Sequence, residues 1–98
     1  MSSRGLRVTV HSVKGHCPVY REGDNFFLEQ GYILTPGQGV RICFHSLASL
    51  LPYHVALFHG VAPTAIGLAK EGPSAYVQCL DPCELTGGGT VTFRIERE

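Results

Sequence analysis

Four cysteines, Cys17, Cys43, Cys79 and Cys83, are the residues of this chain with the widest chemical reach. A thiolate is at once a nucleophile and a soft metal ligand. Cys17 follows a strand-like segment, Cys43 stands where a helix should open, and Cys79 ends a second strand-like segment, so the boundaries of three elements could deliver three sulfurs to one site. A cysteine at a helix amino terminus faces exposed backbone N–H groups and the positive end of the helix dipole, which makes Cys43 the thiol most favoured as thiolate by position. Prolines restrict the chain beside the sulfurs in Cys17-Pro18 and in Cys79-Leu80-Asp81-Pro82-Cys83, as they often do beside the cysteine ligands of iron–sulfur clusters. Zinc modules usually carry two close ligand pairs, whereas here only Cys79 and Cys83 are close and no C-x-x-C occurs. An iron–sulfur cluster held by Cys17, Cys43, Cys79 and Cys83 is therefore the leading expectation, and zinc on the same residues the second.

Other readings of the same cysteines stay open. Free cysteine packs as a small hydrophobe, so the four could be core residues, and Cys79 with Cys83 could form a reactive or reversibly oxidised pair. His16 beside Cys17 and His45 two residues after Cys43 could each stand in for a cysteine ligand. His54 and His59 are five residues apart, a spacing that does not share a helix face. His11 reads as an exposed strand residue. Asp24 and Asp81 sit in turn settings, where aspartate side chains most often bond the following backbone. Gly87-Gly88-Gly89 lacks the helix and lysine of a phosphate-binding loop and reads as a flexible approach to the last strand. No nucleophile elbow, zinc-protease or dinucleotide fingerprint is present.

The elements that must position these side chains follow from periodicity. Leu6, Val8 and Val10 alternate with polar residues over 6–13, giving a first half-buried strand. Phe26-Phe27-Leu28 and 31–36 read as short strands, 75–79 as another, and Thr90-Val91-Thr92-Phe93-Arg94-Ile95-Glu96 as the clearest, with Val91, Phe93 and Ile95 inward. Between Ile42 and Ala69 there is no Asp, Glu, Lys or Arg. Leu47, Leu50, Leu51, Val55 and Phe58 recur there near helical spacing, which predicts a helix over 43–59 that Pro52 kinks or breaks and Gly60 caps. The fold class is α+β: a mainly antiparallel sheet of about five strands with one central helix packed on one face.

Ninety-eight residues make one small domain, 1–98, with room for a single core. Eight basic and eight acidic residues cancel to a net charge of +0, so the basic field of a nucleic-acid binder is missing. Charged residues are only 16% of the chain against 44% hydrophobic, which points to apolar surface covered in a homo-oligomer or a larger protein complex. The uncharged segment is interrupted by Pro52, His45, His54 and His59, and no membrane span is expected. The amino-terminal stretch has no apolar secretory core, so the expected compartment is the cytoplasm, where cysteines serve thiol or metal chemistry more than disulfides.

Several stretches of the chain resemble a small, widespread prokaryotic family of proteins of about ninety residues with no assigned function. They are Val13-Lys14-Gly15-His16-Cys17, Tyr20-Arg21-Glu22-Gly23-Asp24-Asn25-Phe26, Cys43 with Leu47 to Leu50-Leu51-Pro52-Tyr53, and Tyr76-Val77-Gln78-Cys79-Leu80-Asp81-Pro82 through Gly88-Gly89-Thr90-Val91-Thr92-Phe93. The family pattern has three cysteines, matching Cys17, Cys43 and Cys79. It carries a Cys-Pro-Asp-Pro-Gly turn where this chain has Leu80 and Cys83, and a Cys-Pro-Trp segment where Cys43-Phe44-His45 stands. The resemblance implies a shared three-cysteine site whose fourth position falls to Cys83, a histidine, solvent or substrate, and it supplies no reaction.

Overall fold

A computed structural model describes residues 5–98; the first four residues of the stretch read for an export signal lie outside it. Five antiparallel strands form one sheet: β1 (Gly5–Gly15), β2 (Asn25–Glu29), β3 (Ile33–Pro36), β4 (Ala75–Gln78) and β5 (Gly89–Arg97), in the order β3-β2-β1-β5-β4. The two longest strands are central and paired, so most of the core is built on the β1–β5 ladder.

One face of the sheet is apolar. Val8 pairs with Phe26 on one side and Ile95 on the other, Val10 pairs with Phe93, and Ala75 pairs with Ile95; all are buried. The opposite face carries Arg7, Arg94 and Glu96, with Arg7–Glu96 and Arg94–Glu96 ion pairs at 3.5 and 3.4 Å. An antiparallel sheet covered on one side and wet on the other accounts for the alternation in the sequence.

A register shift between Val10 and Ser12 interrupts the β1–β5 pairing at His11. Strict alternation after Val10 would turn Val13 outward. One extra residue in β1 restores it to the core face, opposite Val91 and packed against the core. The same bulge carries the end of β1, Gly15, opposite Gly89 and so sets where Cys17 emerges.

The segment expected as one helix over 43–59 is divided. A 3₁₀ turn at Phe44–Ser46 leads into α1 (Leu47–Leu50), and α2 (His54–Phe58) follows after a break. Pro52 causes the break, because it has no N–H to continue the ladder and its ring crowds the carbonyl one turn back, that of Ala48. The cap at Gly60 forms as the sequence suggests: φ is +88°, and Val61 N–H reaches back to the Ala56 carbonyl at 3.0 Å. Leu50 and Leu57 are buried in the core, with Leu47 and Phe58 packed against it, whereas Phe44, Leu51 and Val55 are exposed. Among the described residues, no helix is long and apolar enough to cross a membrane.

Candidate functional site: a three-cysteine cleft

Three of the four cysteines line one open cleft of about 510 Å³, together with Tyr20, His45, Ser46, Leu80, Asp81 and Thr86. Each cysteine arrives from a different element. Cys17 follows β1 by two residues, Cys79 follows β4 directly, and Cys43 opens the 3₁₀ turn before α1. All three are half-buried, and all four cysteines are free thiols.

Two of the sulfurs accept backbone hydrogen bonds. Tyr20 N–H donates to Cys17 Sγ at 3.3 Å, and Val91 N–H donates to Cys79 Sγ at 3.2 Å. Cys79 also extends the β4–β5 ladder through its own N–H to the Val91 carbonyl, 2.9 Å, which fixes its backbone against β5. N–H groups aimed at sulfur are the outer-layer contacts that orient cysteine ligands and tune what they bind.

Cys43 is held differently, by Tyr20. The Tyr20 ring lies in the core, edge-on to Phe93 at 5.4 Å, while its hydroxyl reaches the cleft. Cys43 N–H donates to that hydroxyl at 3.0 Å, and the hydroxyl lies 2.9 Å from Ser46 Oγ. Ser46 donates its one proton to the Cys43 carbonyl at 2.7 Å, so Tyr20 must be the donor to Ser46. The hydrogen bonds therefore run from Cys43 N–H through Tyr20 and Ser46 back to Cys43 C=O. Burial raises the Tyr20 pKa above the usual tyrosine value, and the Ser46 and Cys43 hydrogen bonds only partly oppose it.

Asp81 makes the Asx-turn expected of it. Its Oδ1 accepts Cys83 N–H at 2.8 Å and the Thr86 hydroxyl. The Thr86 bond, then the Cys83 bond, hold its carboxyl below the ordinary range, with the nearby His45 adding a smaller pull. Asp24 bonds the preceding backbone instead: its Oδ2 accepts Arg21 N–H at 2.9 Å.

Cys83 does not line the cleft. Its Sγ lies 3.5 Å from the Lys14 carbonyl oxygen, and a Cβ built on Gly15 would stand 2.5 Å from that sulfur. Its φ of +56° is left-handed, a conformation suited to glycine. The Gly87-Gly88-Gly89 run serves close approach of chains: His16 N–H reaches the Gly88 carbonyl at 3.1 Å, and a Cβ on Gly89 would come within 2.8 Å of Cys17 N.

His11 is exposed and meets Tyr76 edge-on at 5.4 Å, outside the cleft, and His16 and His54 do not line it either. Tyr20 and Ser46 are the residues that sequence reasoning missed. The available signal was a tyrosine three residues after Cys17 and a serine three residues after Cys43, each an ordinary turn residue by type. Among the described residues, no three or more His, Cys, Asp or Glu side chains are gathered closely enough to hold a metal ion. No family model, no curated protein and no solved structure matches the chain.

Proposed function

We propose that the chain is a small cytoplasmic cysteine-ligated metal protein, with an iron–sulfur cluster ahead of zinc as the group that Cys17, Cys43 and Cys79 hold. The carrying observation is the convergence of these three thiols, from three distant parts of the sequence, on one cleft. The backbone N–H donors to Cys17 and Cys79 support it, since buried hydrophobic cysteines have no need of them. The family resemblance, with its three matching cysteines, points the same way.

The test is anaerobic purification followed by iron, zinc and acid-labile sulfide analysis with a visible spectrum. Iron with sulfide, lost in Cys17→Ser and in Cys79→Ser separately, is the expected result. A folded protein free of metal, unchanged in stability by both substitutions, would overturn the proposal.

A second reading has its own observation. Phe44, Leu51 and Val55 stay exposed on the uncharged segment whose Leu50 and Leu57 are buried in the core. A second copy of this chain is the partner we infer for this surface, since at a net charge of +0 two copies do not repel. Sedimentation of the wild type and of Leu51→Ser/Val55→Ser decides it: a dimer that becomes a monomer supports the reading, and a wild-type monomer removes it.

A further inference from the structure

We infer that the metal-free cleft is a dithiol site, in which exchange with a small organic disulfide joins Cys17 to Cys79 and excess thiol parts them again. This goes beyond the metal reading and needs no metal.

The start of β5 brings these two cysteines together. The His16–Cys17 peptide crosses Gly89 so closely that a Cβ there would stand 2.8 Å from Cys17 N. Cys79 Sγ reaches the same glycine from the end of β4, 3.6 Å from the Gly89 carbonyl oxygen and 3.2 Å from Val91 N. Both side chains line the one cleft. Two cysteines bond when their Cα atoms come within about 7 Å, and the loop that carries Cys17, not the ladder-bound Cys79, is the part that adjusts.

The other two cysteines are placed differently. Cys43 N–H bonds the Tyr20 hydroxyl whereas Cys17 Sγ bonds the Tyr20 N–H, so the length of a tyrosine side chain separates the Cys43 backbone from the Cys17 sulfur. Cys83, which spacing alone would pair with Cys79, does not line the cleft, and its sulfur lies 3.5 Å from the Lys14 carbonyl oxygen. Its N–H is held by Asp81 Oδ1 at 2.8 Å and its carbonyl accepts Gly87 N–H at 2.9 Å, which keeps that turn from swinging the sulfur round.

The exchange has two steps. One cysteine thiol gives its proton to solvent and its sulfur attacks a sulfur of the external disulfide, whose S–S bond breaks and releases one thiol after reprotonation. The second cysteine then loses its proton and displaces the remaining external sulfur as a second thiol, leaving the Cys17–Cys79 bond. The protein dithiol gives up two electrons and two protons, and the external disulfide takes both. Backbone N–H groups of Tyr20 and Val91 already donate to the two sulfurs, and such bonds strengthen when sulfur carries negative charge during attack or departure. A cleft of about 510 Å³ admits a small organic disulfide.

The experiment treats the reduced full chain, freed of metal by a chelator, with one equivalent of 2-hydroxyethyl disulfide under anaerobic conditions. Free thiols are counted, far-ultraviolet circular dichroism is recorded, and the linked cysteines are mapped by proteolysis and mass spectrometry. The wild type should fall from four free thiols to two, yield the Cys17–Cys79 linked peptide, keep its folded spectrum and regain all four thiols in dithiothreitol. Folded Cys17→Ser and Cys79→Ser should each stop at a hydroxyethyl adduct on the remaining partner, while Cys43→Ser and Cys83→Ser still form the bridge. A wild type that collects adducts with no bridge, bridges through Cys43 or Cys83, or bridges only in urea overturns the inference, and this wild-type arm decides even where a variant fails to fold. No metal enters the assay, so its failure is distinct from a failure of the iron, zinc and sulfide analysis.

Discussion

The Tyr20 hydroxyl accepts the backbone N–H of Cys43 at 3.0 Å, while the backbone N–H of Tyr20 donates to Cys17 Sγ at 3.3 Å. One residue, anchored by its ring between Phe26 and Phe93, thus ties two cysteines that are far apart in sequence. The packing of the core and the placing of the thiols are one problem in this protein, and Tyr20 is where they meet.

Replacing Tyr20 by Phe should keep the ring packing and remove the hydrogen-bond circuit. Cys43 N–H loses its partner in a partly buried setting, at a cost of about 1–3 kcal/mol in urea unfolding. Alkylation of the metal-free protein, followed site by site in the mass spectrometer, should show Cys43 reacting faster while Cys79 and Cys83 keep their rates. A uniform acceleration of all four thiols would mean that Tyr20 stabilises the fold only globally.

The raised pKa of Tyr20 also sets an alkaline limit. A tyrosine whose folded pKa lies above its unfolded value contributes stability that is fully present below the unfolded pKa, near 10. That contribution is lost as pH rises through the folded value, because the unfolded chain releases the proton first. Denaturation midpoints should therefore fall above about pH 10 in the wild type and fall less steeply in Tyr20→Phe. Equal alkaline slopes in the two proteins would refute the assignment.

Cys83 occupies a left-handed position at φ +56°. Cys83→Gly relieves a strain of about 1–2 kcal/mol, partly offset by the greater freedom of glycine in the unfolded chain, about 0.4–1 kcal/mol. The expected outcome is a gain of about 0.5–1 kcal/mol in chemical denaturation, with iron content after anaerobic reconstitution unchanged. A loss of stability would show that the contact of the sulfur with Lys14 and Gly15 outweighs the strain.

Gly89→Ala should do the opposite. Its new Cβ would lie 2.8 Å from both Cys17 N and His16 C, and backbone atoms cannot step aside as a flexible side chain does. Overpacking of this kind costs about 1–3 kcal/mol. It should also displace Cys17, so reconstituted iron should fall while the circular dichroism stays that of the folded sheet. Retention of full stability and full iron would refute the role given to Gly89.

Much of the sheet was legible because apolar alternation is a local signal. Val91, Phe93 and Ile95 repeat at period two, and the structure buries all three. The cap at Gly60 and the break at Pro52 were legible for the same reason, since each follows from the chemistry of one residue type. The 3₁₀ turn that opens 43–59 and the shortness of the two helices on either side of Pro52 were not, because Leu47, Leu50, Leu51, Val55 and Phe58 keep a helical spacing that does not show where hydrogen bonding stops. The bulge at His11 was also hidden: Val10 and Val13 are three residues apart, and only pairing with β5 shows that one residue is skipped.

By itself, the sequence determined that Cys17, Cys43 and Cys79 end or open structural elements, because element boundaries are written in proline, glycine and the change of hydrophobic period. Only the tertiary structure decided that these three share a cleft and that Cys83 does not line it. The spacing of Cys79 and Cys83 suggests a pair, yet the left-handed turn and the Asp81 hydrogen bonds send Cys83 to the end of β1. Nor does any local pattern make Tyr20 the link between Cys17 and Cys43. That link exists because the order β3-β2-β1-β5-β4 places Phe26 and Phe93 where one tyrosine ring can pack on both and extend its hydroxyl to the far loop. Side-chain convergence is set by strand order and register, and those are settled by long-range packing that no short stretch of chain contains.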